Sequence, residues 1–187
     1  MKRVKRKSKM KPLKIILKDL TKIIVPRQSQ FRNSWLRQHG CPFVSAYEVL
    51  QFCGVKKVGK KKTSVTSIYK YCRKHFPKKF RPGGTITIRA LTLALKSLLK
   101  GKAYVKFFPP ERVNGTNVNK YLNAGSIIIM TRRIPVIHFY VILRELGKTY
   151  ILNAGKCKRI SVKRIVKVKC NHKYYGGMIV ITRKKKK

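Results

Sequence analysis

His39-Gly40-Cys41-Pro42, followed by Phe43-Val44-Ser45-Ala46-Tyr47-Glu48-Val49-Leu50-Gln51-Phe52-Cys53-Gly54, decides how this chain reads. Gly40 is expected to give a tight turn its freedom, and Pro42 suits the first turn of a helix, where its missing N–H costs nothing. Phe43, Ala46, Tyr47, Leu50 and Cys53 mark one helix face, and Gly54 ends the helix. Cys41 is thus set at a helix N-terminus, where the macrodipole and unpaired N–H groups favour a thiolate. Far downstream, Val136-Ile137-His138-Phe139-Tyr140-Val141 reads as a strand holding one histidine. Tyr150-Ile151-Leu152-Asn153 reads as a second strand ending in an asparagine. Cysteine, then histidine, then asparagine is an order in which a nucleophile, its base and the group orienting that base can occur.

The ordinary alternatives are a cysteine that only packs and a histidine satisfied in the core or facing solvent. The local setting argues for more. Ile137–Leu143 and Lys148–Leu152 form a predicted hairpin around residues 145–147, and a one-to-one register pairs residue 138 with a position near 154. An asparagine there can accept from the imidazole and fix its tautomer. With an imidazolium beside it, the Cys41 thiol is expected to fall from about 8.5 towards roughly 3.5–7.5. His39 sits on the tight turn itself, and His75 and His172 lie in basic stretches, so all three are placed worse as the base.

Outward from these residues, the first half of the chain reads as helices. Leu13, Ile16, Leu17, Leu20 and Ile24 recur at helical spacing in a short basic amphipathic segment, suited to packing on the domain or lying on an anionic membrane. Arg27 to Gly40 reads as a loop and Val55 to Lys62 as a lysine-rich link. Thr63 or Ser64 caps a helix running to His75. Pro82-Gly83-Gly84 is a turn, and Thr87 caps Ile88 to Leu99, closed by Gly101. Strands follow at Ala103–Phe108, Ser126–Met130 and Met178–Thr182, in addition to the hairpin, with short helices at Asn117–Asn123 and after Ser161. Helices first and antiparallel strands second give an α+β domain. The organisation is a basic tail and short amphipathic segment at 1–22, one domain at 23–182 and a basic tail at 183–187.

Several stretches together resemble the bacterial double-glycine (bacteriocin-processing) peptidase-like family of papain-like cysteine peptidases. They are Val25-Pro26-Arg27-Gln28-Ser29-Gln30, Trp35, Gly40-Cys41-Pro42 with Ser45 and Gly54, His138-Phe139-Tyr140-Val141-Ile142 and Tyr150-Ile151-Leu152-Asn153. The likeness covers about residues 23–182 through short motifs. It implies a papain-like fold, with N-terminal helices packed on a C-terminal antiparallel sheet. It implies peptide-bond hydrolysis with Cys41 as nucleophile, His138 as base and Asn153 as orienter. Gln30 and the Cys41 backbone N–H become the oxyanion-hole donors, with Gln28 and Gln38 as alternatives to Gln30. Family members often carry glycine after the cysteine, where Pro42 stands here, and often aspartate at the third position, here Asn153.

Composition bounds the partners. The chain has 187 residues, 43% of them hydrophobic, and 48 Lys+Arg against four acids, for a net charge of +44. It has enough apolar content for one core, and its self-repulsion is eased by salt. The expected partners are a peptide or protein substrate, acidic by charge steering, and polyanions such as nucleic acid, anionic lipid or an acidic wall polymer, bound non-specifically; the alternative is lineage-wide lysine enrichment with no dedicated partner. A catalytically inactive scaffold that binds polyanions is the alternative function, although no zinc finger, RRM or KH signature is present. Five cysteines at irregular spacing speak against a disulfide framework and for a reducing compartment. Cys170-Asn171-His172 has no second ligand pair, so neither metal nor cofactor is expected. The N-terminal apolar stretch is cut by Lys14, Lys18 and Asp19 and no run is long enough to span a membrane. The expected location is cytoplasmic, with export by an unconventional route left open.

Overall fold

A computed structural model of the chain describes residues 13–17, 22–27, 31, 33–81, 86–133, 137–153 and 155–184. The expected tail at 1–11, residues 185–187 of the tail expected at 183–187, Leu20 and the Pro82-Gly83-Gly84 turn lie outside these residues, whereas Arg183 of that expected tail ends a strand, opposite Ala103. The fold is mixed α+β. In chain order it comprises β1 (Leu13–Ile16), β2 (Lys22–Val25), α1 (Ser34–His39), α2 (Cys41–Phe52), β3 (Lys57–Val58), β4 (Lys61–Lys62), α3 (Val65–His75), α4 (Ile88–Leu98) and β5 (Ala103–Phe108). Then come α5 (Gly115–Asn123), β6 (Ile127–Arg133), β7 (Ile137–Glu145), β8 (Lys148–Asn153), β9 (Lys156–Arg159), α6 (Val162–Lys167) and β10 (Met178–Arg183).

Six strands form one antiparallel sheet in the order β5-β10-β6-β7-β8-β9. Both of its faces are covered. On one, Phe139, Val141, Leu143, Ile127, Ile129 and Leu152 join the core made by α2, α3 and α4. On the other, Tyr140, Ile142, Ile128 and Met130 meet Val118 and Leu122 of α5 and Ile165 of α6. This explains the unbroken run Ile127-Ile128-Ile129: successive residues point to opposite faces, and each face is dry. The sequence reading placed helices on the sheet from the N-terminal half only; α5 and α6 add a second layer behind it.

The helix caps are those the sequence offers. Ser64 caps α3 in a reciprocal capping box with Ser67, and Thr87 caps α4 through the Ala90 N–H. Three readings are corrected. The segment expected as an amphipathic helix is the hairpin β1–β2, with Leu13 opposite Val25 and Ile16 opposite Lys22. Its Ile15, Ile16, Ile23, Ile24 and Val25 are β-branched and stiff at χ1, which suits a pleated surface better than a helix. Ile23 and Val25 are buried and Ile24 between them is only half-buried, a two-residue period that outweighs the coincidental helical spacing. The stretch expected as loop to Gly40 holds α1, because Asn33 accepts from the Leu36 N–H at 3.0 Å and supplies its cap. In the expected lysine-rich link, β3 and β4 form a small hairpin.

Among the described residues, no helix is long and apolar enough to cross a membrane.

Helix α2 is the hub, in contact with β7, β2, α3 and α4. Gln51 ties it to the hairpin. Its Oε1 accepts from the Ile24 N–H at 2.9 Å and its Nε2 donates to the Ile24 carbonyl at 3.0 Å. Gln51→Ala removes both bonds from one backbone unit. Urea unfolding should report a loss of about 1–2 kcal/mol, with proteolysis first at the β1–β2 hairpin. Unchanged stability and an unchanged first cleavage site would mean that apolar packing alone holds the hairpin.

Candidate active site

Cys41 is the first residue of α2, and Gly40 joins that helix to α1. Gly40 has φ −78°, ordinary helical backbone, so its role differs from the conformational freedom expected of it. A Cβ at this position would lie 2.2 Å from the Leu36 carbonyl oxygen. Glycine is needed here so that two helices can abut with a single residue between them, and that abutment places the cysteine.

His138 is the second residue of β7, opposite Arg132 of β6. In the β7–β8 hairpin Val141 faces Leu152, so Asn153 is a diagonal cross-strand neighbour of His138. The His138 Nε2 and Asn153 Oδ1 are 2.5 Å apart. An amide oxygen only accepts, so Nε2 carries the proton and donates. In the neutral ring this leaves the lone pair on Nδ1. Beyond Asn153, Gly155 has φ +85°, and a Cβ there would come within 2.3 Å of Arg27 Cγ. Arg27 therefore packs directly over the turn that ends β8.

Cys41, His138 and Asn153 line one narrow cleft, together with Ser45, Glu48 and Phe139. The cleft has no room for a water molecule as it stands. Among the described residues no hydrogen bond joins the Cys41 thiol to His138; backbone N–H groups of Phe139 and of Cys41 itself face the sulfur. Burial outweighs those two donors and pushes the thiol up to about 11. The low thiol value expected from a helix terminus and an imidazolium is therefore corrected. Burial, opposed by the Asn153 hydrogen bond and assisted by the Arg132 charge, pulls His138 below its ordinary 6.5. Near neutral pH the two groups that line the cleft are thus a neutral thiol and a neutral imidazole.

Gln28 and Gln30 lie outside the described residues, and Gln38 is exposed on α1. The other histidines are engaged elsewhere. His39 packs on Trp35, His75 on Tyr71 at 4.2 Å between ring centres, and His172 on Tyr175. No group of three or more Cys, His, Asp or Glu side chains gathers as a metal site among the described residues.

Glu48 is the cleft residue that sequence reasoning passed over. It is 1% exposed, its Oε1 has no hydrogen-bond partner, and burial holds its carboxyl well above the usual range. Cys41, Ser45 and Glu48 stand at i, i+4 and i+7, one helix face. An acid on that face, in a chain with only four acids, was the available signal.

The chain matches no protein-family model, and no curated protein is a detectable relative of it. The resemblance noted from the sequence therefore rests on the quoted residues alone.

The Asn153 contact yields a signed prediction. It favours protonated His138, so Asn153→Ala should move the ring's titration further down from a value already below 6.5. Imidazole resonances followed by NMR against pH test this. A titration that moves upward in the variant would show that Asn153 does not hold the ring.

Proposed function

We propose that the chain is a papain-like cysteine peptidase, cutting peptide bonds with Cys41, His138 and Asn153. The observation that carries the reading is the bond from His138 Nε2 to Asn153, which directs the ring's basic nitrogen away from the asparagine within the cleft that Cys41 lines. Catalysis starts from the neutral pair. As substrate opens the cleft and the thiol turns to the ring, His138 Nδ1 takes the thiol proton while the sulfur attacks the scissile carbonyl carbon. The Cys41 N–H, and Gln30 as the resemblance implies, stabilise the oxyanion. The proton passes to the leaving amine and a thioester remains. Water, deprotonated by the same nitrogen, then releases the acid and restores the thiol. Asn153 keeps the ring in one tautomer and does not itself take a proton. A net charge of +44 favours acidic peptides. All five cysteines are free, which suits a reducing compartment such as the cytoplasm.

The second reading is an inactive scaffold that binds polyanions. Two observations favour it: the thiol is not bonded to His138, and the cleft is closed to water. Cys41→Ser separates the two. It changes no charge and little volume, but replaces the strong nucleophile. In a peptide-library cleavage assay under reducing conditions at moderate salt, the variant should lose activity on the order of 10^3-fold or more, with folding and polyanion binding intact. Cleavage that persists unchanged in the variant contradicts chemistry at Cys41, and absence of cleavage by the wild type under these conditions favours the scaffold.

A further inference from the structure

The opposite end of the β7–β8 hairpin from His138 carries a second hollow, of about 470 Å3. Arg144 is one of its lining residues, six residues along β7 from His138, or about 20 Å at strand rise. Its guanidinium is fixed from three sides. Nε and Nη2 donate to Thr149 Oγ1 at 3.0 and 2.9 Å, Nη2 donates to Asn119 Oδ1 at 2.8 Å, and Nη1 donates to Asn123 Oδ1. All of these acceptors are neutral, so the side chain is held rigid while its charge is left uncompensated.

The rest of the lining offers donors. Asn119 spends its oxygen on Arg144 and keeps its NH2. Thr149 Oγ1 and Ser161 Oγ accept, from Arg144 and the Arg164 N–H respectively, and keep their hydroxyl protons. Lys148 and Arg159 add two exposed cations, and among the described residues no carboxylate lines the hollow. A surface that is merely basic keeps its cations mobile and solvated. Here a concavity is lined by a fixed fork with one Nη1 proton to spare, together with hydroxyl and amide donors and two more charges.

We propose that this hollow is an anion-binding site for a phosphoryl group, separate from the Cys41 cleft. Multiply charged tetrahedral oxygens match a fixed guanidinium backed by mobile cations. The phosphoryl group belongs to a small phosphate ester or to a nucleic-acid backbone, and the shared chemistry is what the lining recognises.

Calorimetric titration at moderate salt, which suppresses diffuse binding, tests this with pyrophosphate and a short single-stranded oligonucleotide as probes. Saturable one-to-one binding should weaken roughly tenfold in Arg144→Gln and in Arg159→Gln. The second variant alters only an exposed side chain and covers loss of folding in the first. A control removing two exposed charges on the β3–β4 hairpin, Lys57→Gln with Lys61→Gln, should leave binding unchanged. Pyrophosphate binding with this pattern assigns the site to small phosphate esters, and oligonucleotide binding alone assigns it to a nucleic-acid backbone. Equal weakening in the control, or no saturable binding of either probe, overturns the proposal.

Discussion

The packing of α2 onto β7 is the contact on which the rest of the molecule depends. Phe43, Val44, Ala46, Val49 and Leu50 from the helix share one buried cluster with Phe139, Val141 and Leu143 from the strand. Each large side chain buried completely is worth about 1.5–3 kcal/mol, so this seam is a large share of a fold whose net stability is small. It also does the positioning. The first residue of the helix and the second residue of the strand are Cys41 and His138, and the seam brings both to one cleft.

That arrangement has an electrostatic consequence. A seam dry enough to hold the fold is a poor medium for an ion pair, since burial penalises charged thiolate and charged imidazolium alike. The helix terminus and the backbone N–H groups at the sulfur do not overcome it, and Cys41 rises to about 11. The proposed chemistry is therefore base-assisted from neutral groups, not attack by a standing thiolate. Glu48 obeys the same rule a few residues deeper, where burial disfavours its carboxylate and leaves an oxygen without a partner.

Much of this was legible in the sequence because it rests on local signals. Ser64 and Thr87 announce their helices, Gly54 ends α2 with φ +67°, and Leu146-Gly147 closes the β7–β8 hairpin with both residues at positive φ. The hairpin register followed, and with it the His138–Asn153 contact. What stayed hidden depends on partners distant in sequence. The β1–β2 segment satisfies helical and strand periods at once, and its contact with α2 decides between them. Asn33 is a sound cap signal overlooked among polar neighbours. The thiol value could not come from sequence, since it reflects how tightly β7 closes over Cys41. Arg144 looked like one basic residue among many until Asn119, Asn123 and Thr149 were seen to hold it.

The central claim is that Cys41 and His138 act as one nucleophile–base unit despite a thiol that is neutral at rest. The most direct measurement is the rate at which a peptidyl electrophile modifies each cysteine at neutral pH, read by mass spectrometry in wild type and His138→Ala. The account predicts preferential modification of Cys41, a much slower rate there in the variant, and no change at Cys53, Cys72, Cys157 or Cys170. Modification of Cys41 at the same rate with and without the imidazole would contradict it.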